Sequence, residues 1–206
     1  TQGQAQSFDS TQVLPFNLTA IPSYEAKPTL VDIDGDGDLD MFAGSDDGDI
    51  FFSENIGTAT APSFDSLQTN PFNITPADYY SVPDLVDIDG DGDLDLYLLT
   101  NRYYRAGGRP QKPPFAMRNG RPYVLPEFEK YYALKHQQGN NYNIENTGRP
   151  DRILRNNGNG KFEDVSQQLG IELPGHGLSV TWWDFNHDSW PDIYVANDFD
   201  DEDHLY

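Results

Sequence analysis

The stretch Asp32-Ile33-Asp34-Gly35-Asp36-Gly37-Asp38-Leu39-Asp40 sets five carboxylates in nine residues and returns as Asp87-Ile88-Asp89-Gly90-Asp91-Gly92-Asp93-Leu94-Asp95. Carboxylates a few Å apart repel by about 1 kcal/mol per pair even in bulk water, so positive charge is expected in each loop. Asp at positions 1, 3, 5 and 9 offers oxygens, and glycines at 4 and 6 let the backbone curl so that the carbonyl at 7 turns inward. An all-oxygen shell suits a hard divalent cation, and a flexible loop with many protein ligands favours calcium over magnesium. A lone Asp-Gly pair would be read as a solvated turn, but two nine-residue copies in register favour metal. An EF-hand needs an acid at position 12, where Ala43 and Leu98 stand, and helical flanks that are missing from the pattern.

The candidate ligands are therefore Asp32, Asp34, Asp36, Asp38 and Asp40 in the first loop, and Asp87, Asp89, Asp91, Asp93 and Asp95 in the second. A third run, Asp184-Phe185-Asn186-His187-Asp188-Ser189-Trp190-Pro191-Asp192, keeps oxygens at 1, 3, 5 and 9 but lacks both glycines. Asp184, Asn186, Asp188, Asp192 and the Trp190 carbonyl are its candidate ligands, and weaker binding is expected there. His187 stands at a non-ligand position of the pattern.

The loops belong to a longer repeat. Ser7-Phe8-Asp9-Ser10 and Pro15-Phe16-Asn17-Leu18-Thr19 recur 56 positions later as Ser63-Phe64-Asp65-Ser66 and Pro71-Phe72-Asn73-Ile74-Thr75. Lys161-Phe162-Glu163-Asp164 opens a third copy. The distance from Phe to the first loop Asp is 24, 23 and 22 residues, so the third copy has the same dimensions behind an insertion of about 42 residues. Short apolar runs follow the loops, as in Leu94-Asp95-Leu96-Tyr97-Leu98-Leu99 and Ile193-Tyr194-Val195-Ala196, and Ile50-Phe51-Phe52-Ser53 follows a turn. A period near 55 built of short strands predicts an all-β fold of propeller blades. About three blades are expected, as an incomplete propeller. Residues 1–21 would complete a neighbouring blade, 22–77 form the first repeat, 78–101 with 151–170 the second, and 171–206 a truncated third. One helix is expected, in the insertion, where Pro126 opens Glu127 to Lys135 with Phe128, Tyr131 and Tyr132 on one face.

Charge divides the chain in the same place. Its 206 residues carry 34 acids against 13 Lys and Arg, a net of −21. Residues 102–150 hold nine bases and three acids, +6, which leaves −27 for the remainder. The overall sign disfavours nucleic acid and anionic membrane, no run is long and apolar enough to span a bilayer, and the lack of cysteine removes disulfides and thiol chemistry.

The loop pattern Asp-x-Asp-Gly-Asp-Gly-x-x-Asp followed by an apolar strand resembles the calcium loops of FG-GAP and VCBS repeats, as in the propeller heads of integrin alpha subunits. Asp151 to Ser166, Gly177-Leu178-Ser179-Val180 and the loop at Asp184 are similar to the cartilage-acidic-protein and ASPIC/UnbV type. The resemblance implies a secreted or cell-surface β-propeller with Ca2+ at three blade-rim loops, stiffening blades rather than performing chemistry.

The expected function is a non-catalytic adhesion, scaffold or self-assembly module, with the basic insertion as the place for self-association. The alternative is a carbohydrate-binding propeller or the propeller of a polysaccharide-degrading enzyme, supported by Trp182, Trp183 and Trp190. One ring of the adjacent pair is expected in the blade core, since both align with Leu30-Val31 and Leu85-Val86. Asn17 and Asn73 head glycosylation sequons at equivalent repeat positions, and Ser10 and Ser66 lie in Asp-Ser pairs similar to a bacterial O-glycosylation acceptor.

Overall fold

The structure is a computed structural model that describes residues 12–77, 79–137, 139, 141–198 and 201–206. Strands are numbered along the chain. The apolar run after each acidic loop becomes an inner strand of an antiparallel sheet. In the first sheet β1 (Lys27–Val31), β2 (Asp40–Gly44), β3 (Ile50–Ser53) and β4 (Gln68–Thr69) lie in chain order. The second joins β5 (Ser81–Val86) and β6 (Asp95–Thr100) to β12 (Arg152–Asn156) and β13 (Phe162–Asp164), so its halves come from either side of the basic segment. The third holds β15 (Gly177–Trp183), β16 (Asp192–Asn197) and β17 (His204–Leu205). These are propeller-like blades, and the fold is nearly all-β.

Strand β6 shows how the blades stack. All of its residues are buried, and its side chains alternate between two cores. Leu96 and Leu98 join Phe42, Ile50, Phe52, Leu154 and Phe162 on the side of the first sheet. Tyr97 and Leu99 join Ile153, Ile193 and Val195 on the side of the third. A strand covered on both faces loses the polar-out alternation of a half-exposed one, which is why Leu96 to Leu99 reads as an unbroken apolar run. Each such buried side chain contributes roughly 1.5–3 kcal/mol. The first core is continued by rings, with Phe42 to Phe52 at 4.8 Å, Phe52 to Phe72 at 4.9 Å and Phe72 to Phe162 at 6.1 Å between centroids.

A glycine stands at each of two blade joins. A β carbon on Gly44 would lie 2.0 Å from the Ser81 carbonyl oxygen, and one on Gly177 would lie 2.6 Å from that of Thr100. Strand β2 meets the start of β5, and β6 meets the start of β15, at a distance only a missing side chain permits.

The repeated Pro-Phe-Asn element is one repeated turn. Leu14, Phe16 and Asn17 have φ of 50°, 59° and 66°, and their equivalents Asn70, Phe72 and Asn73 have 49°, 58° and 64°. The Phe16 carbonyl accepts from the Phe64 N–H at 2.9 Å, and that of Phe72 accepts from the Phe162 N–H at 3.0 Å. Asn17, Asn73 and Ser66 are exposed, Asn17 donating to the Ser63 hydroxyl at 3.1 Å, while Ser10 lies outside the described residues. Among residues 12–21 the only regular element is the 3-10 turn Pro15–Asn17.

Residues 102–150 leave and rejoin the second sheet at one point, where the Tyr103 N–H reaches the Thr147 carbonyl and the Arg149 N–H reaches that of Asn101. They form the hairpin of β7 (Phe115–Arg118) and β8 (Arg121–Val124), turned at Asn119-Gly120, and that of β9 (Tyr132–His136) and β10 (Tyr142–Asn146). Strand β11 (Arg149–Pro150) pairs with β14 (Pro174–Gly175). The helix expected over Glu127 to Lys135 does not form. Its proline opens only a 3-10 turn, Pro126–Phe128, and the chain enters β9 four residues later. Partnering with Tyr142–Asn146 gives Tyr132–His136 a ladder of hydrogen bonds, and this tertiary pairing overrides the local helical preference.

The two adjacent tryptophans point to opposite faces. Trp182 packs edge-on against Tyr97 with centroids 5.4 Å apart and donates to Asp84 at 3.0 Å, whereas Trp183 is 68% exposed.

Candidate metal centres

Each of the first two acidic loops connects the first and second strands of its blade, and each is organised by its own carboxylates. In the first, Asp32 accepts from the N–H groups of Gly35 at 2.8 Å and Gly37 at 3.0 Å. Asp87 accepts from Gly90 at 2.7 Å and Gly92 at 3.2 Å. The glycines make this possible, since Gly35, Gly37, Gly90 and Gly92 all have φ between 75° and 95°.

Position 9 ties loop to blade. Asp40 accepts from the Ile33 N–H at 3.3 Å and the Asn55 N–H at 2.7 Å, and Asp95 from Ile88 at 3.0 Å and Asn156 at 2.8 Å. Both carboxylates are buried, and desolvation raises their pKa against the opposing hydrogen bonds. Asn55 and Asn156 escaped the sequence reading. Their recurrence as Asn-x-Gly at Asn55-Ile56-Gly57 and Asn156-Asn157-Gly158 was the available signal, masked because the insertion puts Asn156 at 61 residues from Asp95 against 15 for Asn55 and Asp40.

Carboxylate oxygens of Asp32, Asp34 and Asp40 come within 4.8 Å of one another, as do those of Asp87, Asp89 and Asp95. The structure thus brings together positions 1, 3 and 9. Asp36 and Asp91 at position 5 stand outside both triples and accept instead from the next-but-one N–H, that of Asp38 at 3.0 Å and Asp93 at 2.9 Å. Asp38 has one buried carboxylate oxygen without a partner, and desolvation followed by Asp36, Asp34 and Asp32 raises its pKa. An unpartnered buried oxygen beside three convergent carboxylates is a donor set that a hard cation fits, and such charges are costly to hold together without one. These two groups could hold a metal ion. Both loops border one cavity of about 590 Å3, so they lie on the same rim of adjacent blades.

The third loop keeps the curl without the glycines. His187 and Ser189, at positions 4 and 6, have φ of 62° and 74°. Asp184 accepts from Asp188 and Ser189 at 3.0 Å each, so the position-6 hydrogen bond of the first two loops is kept while position 5 replaces position 4 as the other donor. Asp192 is engaged by the N–H groups of Phe185 at 2.6 Å and Asn186 at 3.3 Å and by the Asn186 amide at 3.3 Å. Asp188 accepts from the Trp190 N–H at 2.9 Å. No triple like the other two forms among its described acids.

A family model for the FG-GAP-like repeat matches residues 32–98 and 140–195. The chain belongs to the FG-GAP-like repeat family. Both complete acidic loops of this FG-GAP chain lie in the first matched stretch and the looser loop in the second, while residues 99–139 between them fall largely in the basic segment. No curated protein matches the chain.

Proposed function

We propose that this FG-GAP chain is a calcium-binding propeller module, extracellular or at the cell surface, that serves adhesion, scaffolding or assembly without catalysis. The observation that carries the reading is the pair of Asp triples on one rim of adjacent blades. Their flexible, carboxylate-rich loops favour Ca2+ over the smaller Mg2+, and the third loop is assigned a weaker site. A cation there stiffens the blade, because position 9 is simultaneously a ligand and the acceptor for a strand amide. Non-catalytic action is supported by the same hydrogen bonds, which commit Asp32, Asp40, Asp87 and Asp95 to backbone amides rather than to proton transfer.

Self-association through residues 102–150 is part of the reading. Some of that positive charge is used within the molecule, as in Lys135 to Asp201 at 3.2 Å, but Arg118 and Arg121 stand exposed at the tip of the β7–β8 hairpin. Complementary charge on an acidic body favours a head-to-tail contact between copies.

Calorimetric and thermal-shift titration with calcium and EGTA tests the central claim. Binding to the folded chain alone should raise Tm with calcium and lower it on chelation. A melting curve indifferent to both would sink it. Deleting residues 103–149 and finding unchanged mass by light scattering would remove the assembly clause.

A further inference from the structure

A cavity of about 420 Å3 opens between the basic segment and the third blade, and no residue of the three acidic loops lines it. It is of small-molecule size. Arg109 and Lys112 stand exposed at its rim, and neither is ion-paired to a described residue. Its lining includes Pro114 and Tyr132, with Asn146, His176 and Glu145 as polar residues. His176 is buried, its Nδ1 bonded to Asp201 Oδ2 at 2.6 Å, which fixes the imidazole in place. Glu145 and Asp201 share one lysine, Lys135, at 3.5 Å and 3.2 Å, so one acidic charge is left against the two rim cations. The opening therefore presents net positive charge in a chain of −21.

We propose that this cavity binds an acidic sugar, a pyranose carrying a carboxylate. Each part of the lining answers a part of that ligand. Two cations at the rim suit the carboxylate. The tyrosine ring suits the C–H face of a pyranose, the prolines extend the apolar wall, and Asn146 supplies an amide for its hydroxyls. An inorganic anion leaves the apolar wall unused, and a neutral sugar leaves the cations uncompensated. None of these residues is a candidate metal ligand, so the site stands or falls apart from the calcium reading.

The test uses the full chain with calcium present throughout, titrated calorimetrically with a galacturonate trimer. A neutral galactose trimer, inorganic phosphate and a poly-glutamate peptide serve as comparators. The doubly substituted Arg109→Ala, Lys112→Ala chain is compared with Arg118→Ala, Arg121→Ala, which removes the same charge at the hairpin tip outside the cavity. All four side chains are exposed, and circular dichroism checks that both variants fold. The galacturonate is expected to bind at least tenfold more tightly than every comparator, to weaken at least tenfold in the rim variant, and to be unchanged in the tip variant. Equal loss in both variants would assign the binding to diffuse charge and overturn the site. Phosphate or peptide binding as tightly as the uronate, or no uronate binding at all, would overturn the ligand.

Discussion

Tyr97 donates its hydroxyl hydrogen to Asp151 at 2.8 Å, clasping β6 to the residue before β12 across 54 positions of sequence. The same carboxylate accepts from the Thr100 N–H at 2.6 Å. Burial pushes the Asp151 carboxyl up to about 6, opposed by the hydrogen bonds it accepts, and pushes the Tyr97 hydroxyl well above its ordinary range. Because the folded pKa is raised, the stabilisation from protonating Asp151 is present in full below about pH 4 and is lost as pH rises through about 6. Chelated protein should lose on the order of 3 kcal/mol from this group across that window. Asp151→Asn keeps an acceptor for Thr100 and removes the titration. Denaturation in EGTA at several pH values should show a flatter profile for the variant, and parallel profiles would contradict the assignment.

Positions 3 and 9 of the loops should separate on mutation. Asp95→Ala strips the acceptor from the N–H groups of Ile88 and Asn156 and should cost about 2–4 kcal/mol with or without calcium. No hydrogen bond ties Asp89 to a described residue, so Asp89→Ala should leave chelated stability within about 0.5 kcal/mol and abolish most of the calcium-dependent rise. Urea denaturation of both variants in calcium and in EGTA makes the comparison.

The third loop carries removable strain. His187 and Ser189 adopt the left-handed conformation that Gly90 and Gly92 occupy in the second loop. Replacing either by glycine relieves about 1–2 kcal/mol of steric cost, partly offset by a more flexible unfolded chain. A net gain of roughly 0.5–1 kcal/mol each is expected in EGTA. A loss of stability would show that their side chains do something the backbone angles do not reveal.

Glycines of two kinds should respond differently to alanine. Gly44→Ala drives a methyl to 2.0 Å from the Ser81 carbonyl oxygen at the join of two blades. That clash with backbone should cost more than about 3 kcal/mol. A β carbon on Gly35 meets nothing within 4 Å, and its cost is the φ of 76° alone, about 1 kcal/mol. Thermal denaturation of the two variants is the check.

The acidic loops, the blade period and the recurrence of the Pro-Phe-Asn turn were legible in the sequence because each is a local property. Spacing fixes which residues can curl together, and a duplicated stretch repeats its backbone angles, as Phe16 and Phe72 do at 59° and 58°. The expectation of a helix at Glu127 failed for the complementary reason. A three-ring face at helical spacing is only a preference, and the pairing of β9 with β10 outweighed it.

Tertiary structure alone decided what needed distance. Five acids per loop were equivalent as letters, yet only positions 1, 3 and 9 converge, because position 9 begins a strand and is anchored by Asn55 or Asn156. The cavity beneath Arg109 and Lys112 is likewise invisible in the chain order, since its lining comes from segments joined only when the basic insertion folds back against the third blade. Sequence specified the chemistry each loop can offer, and packing between blades selected which oxygens face one another.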